Sequence, residues 1–166
     1  AIMVVFWSFG AAIGALSGSM PSIMRNSGID SETMGFGLMI STLLTVGGMA
    51  VGGQLARFST NRTMLLCLLP SFAVLLFAYL ASQSLLWFYL AIIPMGLVFG
   101  LTDIFMNAEA TAIEHDMQRP VFTAFHGCVS LGIASIAIVS SFMSTMIGTW
   151  ATGLLAAVFF SIAWGF

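Results

Sequence analysis

Six apolar runs, each near the length that crosses a bilayer and parted only by short polar connectors, constrain this chain more than any other feature. A spanning helix needs about 20 predominantly apolar residues. The runs cover approximately 1–20, 35–56, 64–81, 85–113, 121–146 and 149–166. Charged residues make up 6% of the chain, against roughly 25% in a soluble domain, so no water-facing surface can be covered. The expectation is an all-α membrane protein, a bundle of six transmembrane helices forming one unit over 1–166 with both ends cut from something longer.

The connectors PSIMRNSGIDSET, RFSTNRT, SQS and EHDMQRP hold most of the charge and turn signals. There is no lysine, and the basic residues are Arg25, Arg57, Arg62 and Arg119. No basic patch for nucleic acid exists. Arg57, Arg62 and Arg119 share one side of a six-span arrangement. Arg25 lies opposite with Asp30 and Glu32, so the positive-inside rule places the three-arginine side in the cytoplasm. Asn61-Arg62-Thr63 is a formal glycosylation sequon, but on that cytoplasmic side. Cys67 and Cys128 lie inside apolar runs and read as small packing residues. No cofactor and no metal centre is expected.

Glycines recur every four residues: Gly10, Gly14 and Gly18 in span 1, Gly48 and Gly52 in span 2, Gly96 and Gly100 in span 4. That spacing lines one helix face and lets a neighbouring backbone approach closely. The faces serve static packing, rocking between helices, or both. Trp87 and Trp150 fall near the outer ends of their spans, where interfacial anchoring accounts for them.

The polar exceptions concentrate in DIFMNAEATAIEHDMQRPVFTAFHGCVS, residues 103–130. An ionisable group at the bilayer centre costs about 2.5–3.5 kcal/mol on insertion scales, so such groups usually face a pathway or a partner. On a helical wheel Asn107 lies about 40° and Glu114 about 20° from Asp103, forming one stripe, with Glu109 about 120° away facing another neighbour. On span 5, Thr123 and Ser130 fall within about 60° of His126. The short EHDMQRP connector makes spans 4 and 5 antiparallel neighbours. Asp103, Asn107, Glu109, His126 and Ser130 are the candidates for a solute and proton pathway. Arg57, Arg62, Glu114 and Arg119 are candidates for a cytoplasmic gate. Structural roles compete at each position: a buried carboxylate pair at Asp103, an interhelical hydrogen bond at Asn107, satisfied backbone carbonyls at His126.

Asp103-x-x-Met106-Asn107-x-x-Ala110, then Glu114, Arg119-Pro120 and Phe125-His126-x-x-x-Ser130-x-Gly132, resemble the fucose-permease-like bacterial inner-membrane branch of the major facilitator superfamily. Pro21-Ser22-Ile23 and Met34-Gly35 fit the same pattern. The loop GGQLARFSTNRT matches the family's basic loop only in part. Gly53, Arg57 and Arg62 fit, but the acidic residue is replaced by Ala56 or Arg57 and the loop glycine by a residue near Ser59. Ser19 stands where similar sequences often carry arginine. Span 5, LGIASIAIVSS, lacks the antiporter-type glycine-proline motif.

The resemblance implies half of a twelve-helix fold, with this chain as the N-terminal six-helix half and the C-terminal half supplying the other wall of a central site. It implies a secondary active transporter of a small polar, sugar-like solute, coupled to protons by symport and working by alternating access, with lipid around it. A carboxyl at Asp103 whose hydration changes as helices rock can take up and release a proton, and an imidazole at His126 titrates near neutrality. Two other readings stand beside this one: a membrane scaffold or sensor that transports nothing, and an efflux transporter of drugs or metabolites. An enzyme is disfavoured. No H-E-x-x-H occurs, Asp103 lacks a glycine directly before it, and no second deep aspartate can complete a dyad.

Overall fold

The computed structural model describes residues 2–165. Ala1 and Phe166, where the first and last expected spans begin and end, lie outside the described residues. Among the described residues there are six helices and no strand: α1 (Ile2–Ser27), α2 (Ser31–Leu55), α3 (Asn61–Leu80), α4 (Leu85–Met117), α5 (Phe122–Met146) and α6 (Thr149–Trp164). The first five are long and apolar enough to cross a membrane, while α6 is a shorter apolar helix of 16 residues.

Local chemistry sets the boundaries. α1 runs straight through Pro21, where the sequence suggests a connector. It stops at Gly28, whose φ of 65° supplies the left-handed residue. The N–H of Gly28 then reaches the Arg25 carbonyl and that of Ile29 reaches Met24 at 3.0 Å, the paired bonds of a Schellman stop. Asp30, Thr60 and Ser84 cap α2, α3 and α4, each accepting the N–H three residues on. At Asp30 this bond, 2.8 Å from Thr33, holds the carboxyl below its ordinary range. α4 ends where Gln118 enters the left-handed region at φ 52°. With 33 residues, it is about 50 Å long, well beyond the roughly 30 Å of a bilayer's hydrocarbon.

The helices do not pack in chain order. α1 lies chiefly against α5, then α6; α4 lies chiefly against α2, then α3; and α3 lies against α6. Exchanging α1–α3 for α4–α6 maps α1–α5 onto α4–α2, α1–α6 onto α4–α3, and α3–α6 onto itself. The correspondence extends to atoms. Thr45 Oγ1 on α2 donates to the Gly96 carbonyl of α4 at 3.0 Å, and Ser140 Oγ on α5 donates to the Gly14 carbonyl of α1 at 3.1 Å. The glycine faces make both approaches possible. A Cβ on Gly14 would sit 2.6 Å from the Ile133 carbonyl oxygen, and one on Gly100 would collide with the Thr45 carbonyl. Gly10 and Gly18 abut Val129 and Ala137, Gly96 abuts Ser41, Gly48 abuts Leu97, and Gly52 meets the Ile104 side chain.

One expectation fails here. α4 and α5 are joined by a short connector yet touch little. α5 instead lies along the glycine face of α1 and α4 along α2. Backbone contact through small residues outweighs the pull of a short loop.

The core follows from this arrangement. Phe6, Phe9, Phe72, Phe88, Phe105 and Phe160 are buried across α1, α3, α4 and α6. α2 and α5 flank it and bury only 17% of their apolar stretches, against 56% for α1. Proline-freed backbone is satisfied across helices. Pro70 deprives the Leu66 carbonyl of its intrahelical donor, and the Trp164 indole N–H of α6 donates there instead at 2.9 Å. In the same manner the Trp87 indole caps the Ala78 carbonyl in the last turn of α3 at 2.9 Å.

Candidate functional site

Asp103 stands on α4 about 24 Å along the axis from Trp87, so a bilayer that seats Trp87 at one boundary places Asp103 inside the far part of the hydrocarbon. The side chain is half-buried. One turn on, Asn107 Nδ2 donates to the Asp103 main-chain carbonyl at 2.8 Å and to Asp103 Oδ1 at 3.2 Å. These two acceptors fix the orientation of the amide, since only its NH₂ can donate to a carbonyl. Asn107 Oδ1 is then a buried acceptor with no hydrogen-bond partner among the described residues. Such an atom costs about 1–3 kcal/mol unless something donates to it.

His126 on α5 is exposed. Its ring is held by aromatic contacts, edge-on to Phe6 at 5.6 Å and tilted against Phe122 at 4.8 Å. Ser130 Oγ donates back to the His126 carbonyl at 3.3 Å and so serves its own helix. Asp103 and Asn107 together form an acceptor-rich set, the Asp103 carboxyl beside the unbonded Asn107 Oδ1. Such a set can hold a proton and accept hydrogen bonds from a solute. Among the described residues no cluster of metal-ligating side chains occurs.

The remaining sequence candidates fall elsewhere. Glu109 turns away from Asp103 and lines a cleft with Arg62, between α1, α3, α4 and α6. Glu114 does not pair with Arg119. Its Oε2 accepts the Phe122 N–H at 2.6 Å and caps α5, which its own N-cap residue Val121 leaves without a side-chain bond. Arg57 and Arg119 are exposed. Among the described residues the one contact of ion-pair type is His115 with Asp116 at 3.7 Å, both exposed. The four gate candidates therefore share one end of the bundle without forming ion pairs with each other.

Sequence reasoning missed the opposite end. There Ser27 and Ser82 share a hydrogen bond at 2.9 Å, Asn26 Nδ2 donates to Thr149 Oγ1 at 3.2 Å, and Ser22 Oγ donates to Ser144 Oγ at 3.4 Å. Arg25 Nη2 donates to Ser22 at 2.8 Å. These bonds tie α1 to the α3–α4 connector, α5 and α6. The signal was a run of hydroxyl and amide residues at the end of α1, but their partners are scattered along the chain.

No family model and no solved structure matches the chain. It is similar to "Membrane protein MosC" of Rhizobium meliloti, with 26% identity over 136 residues that cover 80% of this chain and 33% of that protein. The chain thus spans about a third of the length of this curated relative. With five apolar helices of spanning length and a relative named as a membrane protein, the chain is a multi-pass integral membrane protein.

Proposed function

We propose that this chain is the N-terminal six-helix half of a secondary active transporter of major facilitator type. It moves a small polar solute of sugar-like kind across a bacterial inner membrane, coupled to protons by symport. The observation that carries the reading is the Asp103–Asn107 pair, a half-buried carboxyl held by an amide inside a spanning helix. A group of that kind inside the membrane marks a pathway by default.

Two further features support it. The pairing of α1 with α5 and α4 with α2 has the form of an inverted repeat, an arrangement common in secondary transporters. The similar protein is three times as long as the matched region, which leaves room for a second half. In this reading Asp103 carries the proton, His126 relays it or tunes it, and Asn107 orients the solute. The end tied by Ser27–Ser82 and Asn26–Thr149 moves as one body.

The test is uptake by the full-length protein in proteoliposomes, screened over small polar solutes with and without an imposed pH gradient. Gradient-dependent accumulation supports the reading. A folded, reconstituted protein that moves no solute in either direction points to a scaffold or sensor, and solute expulsion under the same gradient points to efflux.

A further inference from the structure

A second feature lies on the other face of α4. Between the starts of α1 and α3 and the ends of α4 and α6 is a cleft of about 340 Å³, within the size range of ligand sites. Its wall is apolar, with Leu66, Leu69, Ile113 and Trp164 prominent, and its charged side chains are Arg62 and Glu109. These two carry opposite charge into one cleft without pairing with each other. Trp164 also lines a separate apolar groove of about 230 Å³, bounded by Pro70, Ala73, Phe160 and Ser161 on α3 and α6. The cleft and groove thus adjoin at one indole. From Arg62 to Ala73 the α3 axis rises about 16 Å toward the membrane centre.

This layout is amphipathic along the membrane normal: one cation and one carboxylate at the polar boundary, then an apolar trough running inward. A phospholipid is built the same way. A carboxylate beside the arginine disfavours a purely anionic headgroup and favours one bearing both signs. We infer that the Arg62–Glu109 cleft and the α3–α6 groove form a binding site for a zwitterionic phospholipid whose headgroup ends in a primary ammonium. Arg62 takes the phosphate, as a guanidinium does through paired N–H donors. Glu109 accepts from the ammonium, and an acyl chain lies over Trp164, Pro70 and Ala73. The indole N–H is already committed to Leu66, which leaves the ring face apolar. The site rests on the membrane character of the chain alone and is independent of the transport reading. It also gives Glu109 a role apart from Asp103.

Native mass spectrometry of the detergent-solubilised full-length protein tests this, with titrated phosphatidylethanolamine, phosphatidylcholine and phosphatidylglycerol of matched acyl chains. The ethanolamine lipid should bind about tenfold more tightly than the choline lipid, which has the same charges but no N–H donor on its ammonium. Glu109→Gln should largely remove that preference, weakening the ethanolamine lipid more than the choline lipid, whose ammonium loses only the charge attraction. Arg62→Gln should weaken both. Equal binding of the ethanolamine and choline lipids to the wild type would overturn the assignment. So would tighter binding of the glycerol lipid, or an ethanolamine preference that survives Glu109→Gln in protein with wild-type melting behaviour.

Discussion

Replacing Gly14 with alanine probes the packing on which the whole arrangement depends. The new Cβ would lie 2.6 Å from the Ile133 carbonyl oxygen and 2.9 Å from the Ala137 nitrogen. Unstrained contacts of a methyl carbon lie near 3.5 Å, so α1 and α5 must part by roughly 0.5–1 Å. Both obstacles are backbone atoms, and no rotamer change relieves them. Overpacking of this kind costs about 1–3 kcal/mol. Separation also stretches the bond from Ser140 Oγ to the Gly14 carbonyl, worth about 1 kcal/mol. Against this stands the better helix propensity of alanine, about 1 kcal/mol. The net expectation is a loss of about 1–3 kcal/mol. Gly47→Ala on α2 is the control, because a Cβ there meets nothing within 4 Å, and it should be neutral or slightly stabilising. The assay is unfolding of purified full-length protein in detergent, followed by tryptophan fluorescence. Equal stability of the Gly14→Ala and Gly47→Ala proteins would refute the close α1–α5 approach.

Trp164→Phe removes the donor to the carbonyl that Pro70 frees and should cost about 1–2 kcal/mol; in a double-mutant cycle, Pro70→Ala restores an intrahelical donor and should reduce that loss, whereas strict additivity would contradict the pairing. Asp30 has a carboxyl pKa below the ordinary 3.8, so its capping contribution is present above that value and fades as pH falls through the lower folded value. Asp30→Asn should keep the cap yet lose this acid-side dependence in unfolding curves taken below about pH 4, and an unchanged pH profile would remove Asp30 from the account. Single cysteines placed at Ser59 and Gln118 should label from the same side of the membrane in intact cells, and labelling from opposite sides would break the six-helix topology.

The helices were legible because apolar runs near 20 residues admit little else, and the Gly-x-x-x-Gly faces announced tight contacts. Which helices those faces meet was not legible. The short 4–5 connector argued for α4 beside α5, but the choice is made by backbone-to-backbone fit at Gly10, Gly14 and Gly18, which no loop length encodes. Pro21 read as the end of a span, yet the stop signal was Gly28 with its Schellman bonds. On the wheel Glu109 separated correctly from Asp103 and Asn107. The cap that Glu114 gives to the Phe122 N–H was not legible, because an eight-residue reach has no sequence signature. The hydroxyl ties at the α1–α2 end depend on Ser82, Ser144 and Thr149, three residues brought together only by tertiary packing.

The most direct test of the transport reading is Asp103→Asn in the full-length protein, reconstituted in proteoliposomes and assayed in parallel for pH-gradient-driven accumulation and for solute exchange at equal pH. An amide keeps the size of the carboxyl and its hydrogen bond with Asn107 but carries no exchangeable charge. The account predicts that accumulation is abolished while exchange persists. Wild-type accumulation by Asp103→Asn at equal protein density would contradict it and leave Asp103 a purely structural partner of Asn107.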